Sequence, residues 1–258
     1  MNRFIDQMGR EVLLKDTPKR IVSIVPSQTE LLFDLGLHDE LVGITKFCVH
    51  PNSWYTTKKR VGGTKNVNIA SVKELNPDLI IANKEENTLE DIQLLEQIAP
   101  VWISDIVDFD DAIEMIREIG ILVEKGDAAQ FLIAEIKNSL NALNLNLLGE
   151  TAIYFIWKQP YMCAGKNTFI DAMMSKIGFD NVIQTERYPV LEAPFNLSFQ
   201  PDWVLLSSEP YPFSDAHVEE MKKYFPESKI IIVDGEFFSW YGSRMRFAKD
   251  YFMSVFSS

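Results

Sequence analysis

Two cysteines and three histidines in 258 residues leave little room for several kinds of chemistry. Cys48 and Cys163 cannot form the disulfide framework of a small secreted scaffold. No C-x-x-C pair occurs, and His38, His50 and His217 are far apart, so no zinc-type ligand set is present. A metal held by protein ligands alone is not expected. Long apolar runs are missing too: stretches such as Ile230–Val233 fall far short of the roughly 20 residues a membrane-crossing helix needs. Basic residues are outnumbered, 25 against 37 acidic, for a net charge of −12. Phosphate binding depends on clustered Lys and Arg, so nucleic acid is excluded as a partner. The acidic residues are spread along the chain and read as a solvated surface that keeps the protein soluble.

Catalytic signatures are missing as well. There is no G-x-S-x-G elbow, no P-loop and no G-x-G-x-x-G. Gly62-Gly63-Thr64-Lys65 lacks the spacing of a phosphate loop and has no strand directly before it. No enzyme activity and no cofactor are expected. Residues 1–10 contain no secretory h-region, an apolar stretch of about 7–15 residues. The expectation is therefore either a cytoplasmic protein or one whose leader lies outside this sequence.

What is present is a regular alternation. Arg20 to Val25 is a continuous apolar, β-branched run of the kind that forms a strand buried on both faces. Pro26 ends it, and Ser27 with Glu30 three residues on predicts a capping box opening a helix over 28–35, closed by Gly36. Strands follow at 41–45, 78–82 and 100–103, with helices at 69–75 and 89–98 and an irregular loop over 46–68. From 109 to 147 apolar residues recur at helical spacing, with Gly120 and Gly126 as possible breaks. The alternation then resumes, with strands at 151–157, 203–206 and 229–233 and helices at 168–177, 216–224 and 244–256.

This pattern predicts an α/β protein of two lobes with mostly parallel sheets, joined by a long connecting helix, with a ligand cleft between the lobes. The expected division is an N-terminal lobe 1–106, a helical connector 107–147 and a C-terminal lobe 148–258. The halves echo one another. Asn76-Pro77-Asp78 is followed by Glu85 eight residues after its Pro, and Gln200-Pro201-Asp202 by Glu209 at the same distance. In each half a helix also ends at glycine (Gly36, Gly178) before an acidic turn and an apolar strand, which points to duplication.

In open parallel sheets, ligands bind beyond the carboxyl ends of the strands. The candidate ligand-binding residues are those that follow each strand. Ser27 and Gln28 stand at a helix start that either caps itself or receives an anionic group. Phe47, Cys48 and His50 follow the second strand, and His50 reads either as an ordinary loop residue or as a metal-facing one. Lys84 lies in Asn83–Asn87, a stretch too polar to be core. The second half offers Trp157, Tyr161, Tyr211, Trp240, Tyr241 and Arg244. So many aromatics where loops are usually polar suit a large, flat, partly apolar ligand.

These residues resemble a known family. Arg20 to Leu31, a strand followed by Pro-Ser-Gln-Thr-Glu-Leu, and Leu75-Asn76-Pro77-Asp78-Leu79-Ile80 some fifty residues later are similar to motifs of the helical-backbone class of periplasmic binding proteins. The resemblance runs from about Lys19 to Phe256. It implies two α/β lobes joined by one long helix and service to an ABC importer of cobalamin, ferric siderophores or haem. The vitamin B12-binding branch is the most similar. It is matched by Gly43-Ile44-Thr45 leading to Pro51, by Ala164 to Phe169 before a helix ending at Gly178 and Asn181, and by Trp240-Tyr241-Gly242-Ser243-Arg244.

The resemblance further implies a permease partner, a monomer located outside the cytoplasm, and an acidic residue on each lobe for docking. Glu90 is nearest to the first position and Glu192 to the second, although Pro194 and Phe195 stand where the second acid is expected. Glu85, Glu86 and Glu209 stand out from the repeat as further candidates for docking or for the cleft. The rival reading is a cytoplasmic enzyme or ligand-responsive regulator on the same two-lobed architecture.

Overall fold

The computed structural model describes residues 2–193, 195 and 200–257. Pro194 lies outside the described residues. The chain divides into two compact units: Met1–Ile106, Asp110–Lys137 and Tyr241–Arg246 form unit 1, and Val107–Phe109, Asn138–Trp240 and Phe247–Ser258 form unit 2.

Unit 1 opens with an antiparallel hairpin, β1 (Asn2–Ile5) and β2 (Glu11–Leu14). Its turn is held by Asp6 Oδ1, which accepts the amides of Met8 at 3.0 Å and Arg10 at 2.8 Å. There follow β3 (Ile21–Ser23), α1 (Pro26–Asp34), β4 (Leu41–Ile44), α2 (Asn52–Thr57) and β5 (Lys59–Arg60). Next come β6 (Gly62–Gly63), β7 (Asn66–Val67), α3 (Ile69–Glu74), β8 (Leu79–Asn83), α4 (Leu89–Leu95) and β9 (Val101–Ser104). The main sheet has the order β5-β4-β3-β8-β9 and is parallel throughout. Every residue of β3, β8 and β9 is buried, as continuous rather than alternating apolar runs require. Val22, Ile24, Ile80, Val72, Leu95 and Val101 belong to the core on one side.

Three expectations for this half change. The segment 46–68 is not an irregular loop, since it holds α2 and β5 to β7. The Ser27/Glu30 capping box does not form. The helix starts two residues earlier, with Val25 as N-cap and Pro26 at its first position, where the missing N–H is no loss. The long connecting helix is two helices, α5 (Phe109–Leu122) and α6 (Gly126–Asn141). The chain reverses at Glu124, whose φ is 55°, and Lys125 N–H closes the turn on Gly120 O at 2.7 Å. A Cβ on Gly120 would stand 2.4 Å from the Ala129 Cβ, so the two helices cross at a residue that must be glycine.

Unit 2 contains β10 (Glu150–Trp157), β11 (Tyr161–Cys163), α7 (Phe169–Ile177), β12 (Phe179–Asn181) and β13 (Val190–Leu191). It continues through β14 (Trp203–Ser207), α8 (Asp215–Met221), β15 (Lys229–Val233), α9 (Glu236–Ser239) and α10 (Ala248–Phe256). The terminal helix expected over 244–256 is divided: a 3-10 turn, Ser243–Phe247, precedes α10. The sheet order is β13-β11-β10-β14-β15, with β12 also on β10. β12, β10, β14 and β15 are parallel, while β11 runs against both β10 and β13, so the sheet is mixed.

The Pro-Asp repeat has the same task in both units. Asp78, before β8, accepts the amides of Lys19 at 2.8 Å and Arg20 at 2.9 Å at the entrance to β3. Asp202, before β14, accepts the Thr151 amide and hydroxyl, each at 2.7 Å, at the entrance to β10. In each unit these two strands pair in parallel, so the carboxylate locks the register of the central pair at its N-terminal end. Those two bonds hold the Asp202 carboxyl below its ordinary range.

Candidate functional site

The carboxyl ends of the unit 1 strands are tied by side-chain amides and hydroxyls. Asn83 Nδ2 donates to Ser104 O at 3.1 Å and Oγ at 3.0 Å, and Asn87 Oδ1 accepts the Asn83 amide at 2.9 Å. Asn87 Nδ2 reaches Thr64 O at 2.9 Å, and Gln28 Nε2 meets the Ser104 hydroxyl. Asn83 and Asn87 are thus buried, contrary to the reading of 83–87 as too polar for core. Their polarity is tolerated because each amide finds partners at the strand ends.

Gln28 is correspondingly buried and serves this network rather than an open surface. Ser27 is buried too, and a Cβ on Gly242 would stand 2.7 Å from its carbonyl oxygen. Cys48, expected near a ligand, is turned inward. Its sulfur lies 3.1 Å from both Thr29 Oγ1 and Thr45 Oγ1, and burial pushes its thiol pKa up. Phe47, its neighbour, is 49% exposed, with Lys46 Nζ 4.9 Å from the ring centroid. His50 is half-buried and near enough to Glu30 for its charge to be felt there. Lys84 is exposed and paired with Asp105 at 2.6 Å.

Arg244 has a partner within the protein. Its guanidinium, assigned from the sequence to a ligand, makes a two-point contact with Glu30 on α1. Burial raises the Glu30 pKa, and Arg244 offsets this only in part. Tyr241 is buried within the same segment.

In unit 2, Trp157 ends β10 with 39% of its surface exposed and stands edge-on to Tyr211, ring centroids 5.7 Å apart. Tyr161 is half-buried, and its phenol donates to Glu220 Oε1 at 2.6 Å, while Lys158 pairs with the other oxygen of that carboxylate. Burial first, then the bond to Glu220, push the Tyr161 phenol well above its usual value. The bonds from Lys158 and Tyr161 lower the Glu220 carboxyl in turn.

Trp240 is buried, not displayed. Its indole N–H donates to Glu209 Oε1 at 2.9 Å, and Ser239 Oγ donates to the same oxygen at 3.2 Å. Glu209 is half-buried, and one of its carboxylate oxygens is thus engaged within unit 2. Burial, and then the nearby Glu236 charge, raise its pKa. Glu85 and Glu86 are half-buried, whereas Glu90 and Glu192 are exposed.

The stretch Ala164 to Phe169 serves the fold. Thr168 caps α7 by accepting the Asp171 amide at 3.2 Å, and Asn181 Nδ2 binds Ala164 O at 3.1 Å. Among the described residues, no group of three or more His, Cys, Asp or Glu side chains is placed to hold a metal ion. Also among them, no helix is long and apolar enough to cross a membrane. Sequence reasoning missed Ser104, Asn87 as a structural amide, Glu30 and His217. Glu30 lies inside the motif that reads as a helix cap and Asn87 inside the polar stretch 83–87; Ser104 and His217 lie in neither.

The sequence profile of the periplasmic binding protein family matches residues 21–228. The chain belongs to this family. It is 30% identical over 187 residues to the uncharacterized ABC transporter substrate-binding lipoprotein YvrC of Bacillus subtilis, covering 68% of this chain and 59% of that one. It is 27% identical over 211 residues to a cobalamin-binding protein of Halobacterium salinarum, covering 78% and 57%. The chain thus spans less than two thirds of the length of these relatives. Among solved structures, the apo periplasmic heme-binding protein RhuT from Roseiflexus sp. RS-1 superimposes with a TM-score of 0.78 at 20% identity, over 90% of this chain and 95% of that one. The α/β fold of this family is the fold of this chain, whose two main sheets are mostly parallel.

Proposed function

We propose that this protein is the substrate-binding component of an ABC importer, working outside the cytoplasm without chemistry of its own. Its ligand is a large, flat, partly apolar molecule, with a corrinoid ahead of a haem or a ferric chelate. The observation that carries this reading is Trp157. It ends a central strand of unit 2, at the edge where open α/β sheets take their ligands, and it stays exposed beside Tyr211. In unit 1 the exposed ring after a central strand is Phe47, and its part is tested separately. The cobalamin-binding and substrate-binding relatives support the class of function. Glu90 and Glu192 are assigned to permease docking because both carboxylates are exposed.

Titration with cyanocobalamin and with haemin, followed by tryptophan fluorescence and visible absorbance, tests the proposal. One equivalent of one probe should saturate the protein, quench its fluorescence and come off chemically unchanged. Binding of neither probe nor of a ferric chelate, or release of an altered product, would overturn it.

A further inference from the structure

Helix α8 begins after Ser214, and three residues along stands His217, where a capping box ordinarily has Glu or Gln. The Ser214 backbone N–H donates to His217 Nδ1 at 2.9 Å. The Ser214 hydroxyl oxygen lies at the same 2.9 Å from Nδ1. Because the backbone amide can only donate, Nδ1 is read as the acceptor, which puts the proton of the neutral ring on Nε2. Nε2 lies 3.2 Å from Tyr211 Oη. His217 is therefore the donor and Tyr211 the acceptor. The phenolic proton of Tyr211 is not consumed in this bond and can be directed to another partner.

The ring is held on other sides as well. Phe213, which is buried, meets Tyr211 edge-on at 4.8 Å, and Trp157 does so at 5.7 Å. The charged groups nearby, Glu220 and Lys158, are paired with one another, and Tyr161 spends its own proton on Glu220. Among Tyr161, Glu220, Lys158 and Tyr211, it is Tyr211 whose hydroxyl proton is left for another partner.

We infer that His217 is a positioning residue that sets Tyr211 as a hydrogen-bond donor to an oxygen acceptor on the rim of the ligand, next to the flat face covered by Trp157. This rests on the reading of Trp157 and Tyr211 as ligand contacts. The acceptor is an amide carbonyl, as on the periphery of a corrinoid, or a carboxylate, as on a haem. A ligand rim without oxygen would leave the donor unmatched.

The test compares wild type with Y211F, H217N, H217Q and W157A, using cyanocobalamin and haemin as separate probes. Y211F should bind the true ligand roughly five- to tenfold more weakly. His217→Asn keeps an acceptor for the Ser214 amide but cannot reach Tyr211, so it should weaken binding as much as Y211F while melting close to wild type. His217→Gln reaches Tyr211 with an amide N–H and should restore most of the affinity lost in H217N. The double variant Y211F/H217N should bind no worse than Y211F alone, because both changes remove one interaction. The probe that shows this pattern identifies the acceptor as amide or carboxylate. Wild-type affinity in H217N, or additive losses in the double variant, would overturn the role of His217 while leaving the site intact. Unchanged binding in both W157A and Y211F would remove these loops from the site, and the inference with them.

Discussion

Arg244 and Glu30, 214 residues apart in sequence, meet at two points: Nε to Oε2 at 3.0 Å and Nη2 to Oε1 at 2.9 Å. Two residues on, Arg246 donates to Asp34 at 2.9 Å. Glu30 and Asp34 lie four apart on α1 and so share a face. Two arginines thus fasten Tyr241–Arg246 along one helix, and Gly242 allows the close backbone approach between them.

Both side chains of the Arg244–Glu30 pair are largely withdrawn from water. Arg244→Ala would leave a poorly solvated carboxylate without its cation, which should cost about 3 kcal/mol in urea-induced unfolding. Replacing both by methionine should recover most of that loss, because the desolvation penalty disappears with the charges. A single variant within about 0.5 kcal/mol of wild type would show the pair to be a surface contact of little consequence.

Glu209 should make stability depend on pH in an unusual sense for a carboxylate. Its folded pKa is raised by burial and by Glu236, so the folded state holds this proton more tightly than the unfolded chain does. Its contribution is therefore full below the unfolded pKa of 4.5 and is lost as pH rises through the folded value. Glu209→Gln keeps an oxygen for the Trp240 and Ser239 bonds and removes the titration. Its melting temperature should gain on wild type between pH 4.5 and 7; an identical slope in both proteins would refute this.

Trp157→Ala and Phe47→Ala should each weaken ligand binding by roughly tenfold, the scale of a lost aromatic contact, with little change in melting temperature because both rings are exposed. Trp240→Ala behaves differently. It strips Glu209 of its indole partner and should destabilise unit 2 as well. Equilibrium titration alongside thermal melts separates the two behaviours.

Glu90→Ala and Glu192→Ala should leave ligand affinity unchanged and reduce delivery to the transporter, read as stimulation of its ATPase in proteoliposomes. Exposed carboxylates add little to stability, so neither change should move the melting temperature. Undiminished stimulation in the double variant would take docking away from both residues.

Gly165→Ala should be among the most damaging conservative changes. Its Cβ would stand 2.0 Å from Thr185 O, a backbone atom that the Lys166 amide already uses at 2.9 Å. The strand-end loop must shift, at a cost of about 2–4 kcal/mol in chemical denaturation. Near-wild-type stability would mean that the 164–187 loops give way easily.

The parallel α/β character of this chain was legible because it depends on local pattern. Lys229–Val233 is a strand in the sequence reading and in the structure alike, since a β-branched apolar run between polar turns has few alternatives. Pro77-Asp78 and Pro201-Asp202 announced the two related strand pairs, because a carboxylate placed there binds the neighbouring strand's first amides. Gly178 ended its helix as expected, at a φ of 108° that favours glycine. The antiparallel strands β11 and β13 and the N-terminal hairpin escaped notice, being four residues or fewer with little periodicity.

The assignment of individual side chains needed the folded chain. Glu30 reads equally well as a cap and as an ion-pair partner until Arg244 arrives from the far end of the sequence. Trp240 and Trp157 are alike in sequence context, each an aromatic after a strand, yet one is buried against Glu209 and the other stands in solvent. Periodicity and turn residues act over a few positions and so determine which segments become strands and helices. Burial, partner choice and the direction of a proton, as in Ser214, His217 and Tyr211, are settled by residues brought together only when those segments pack.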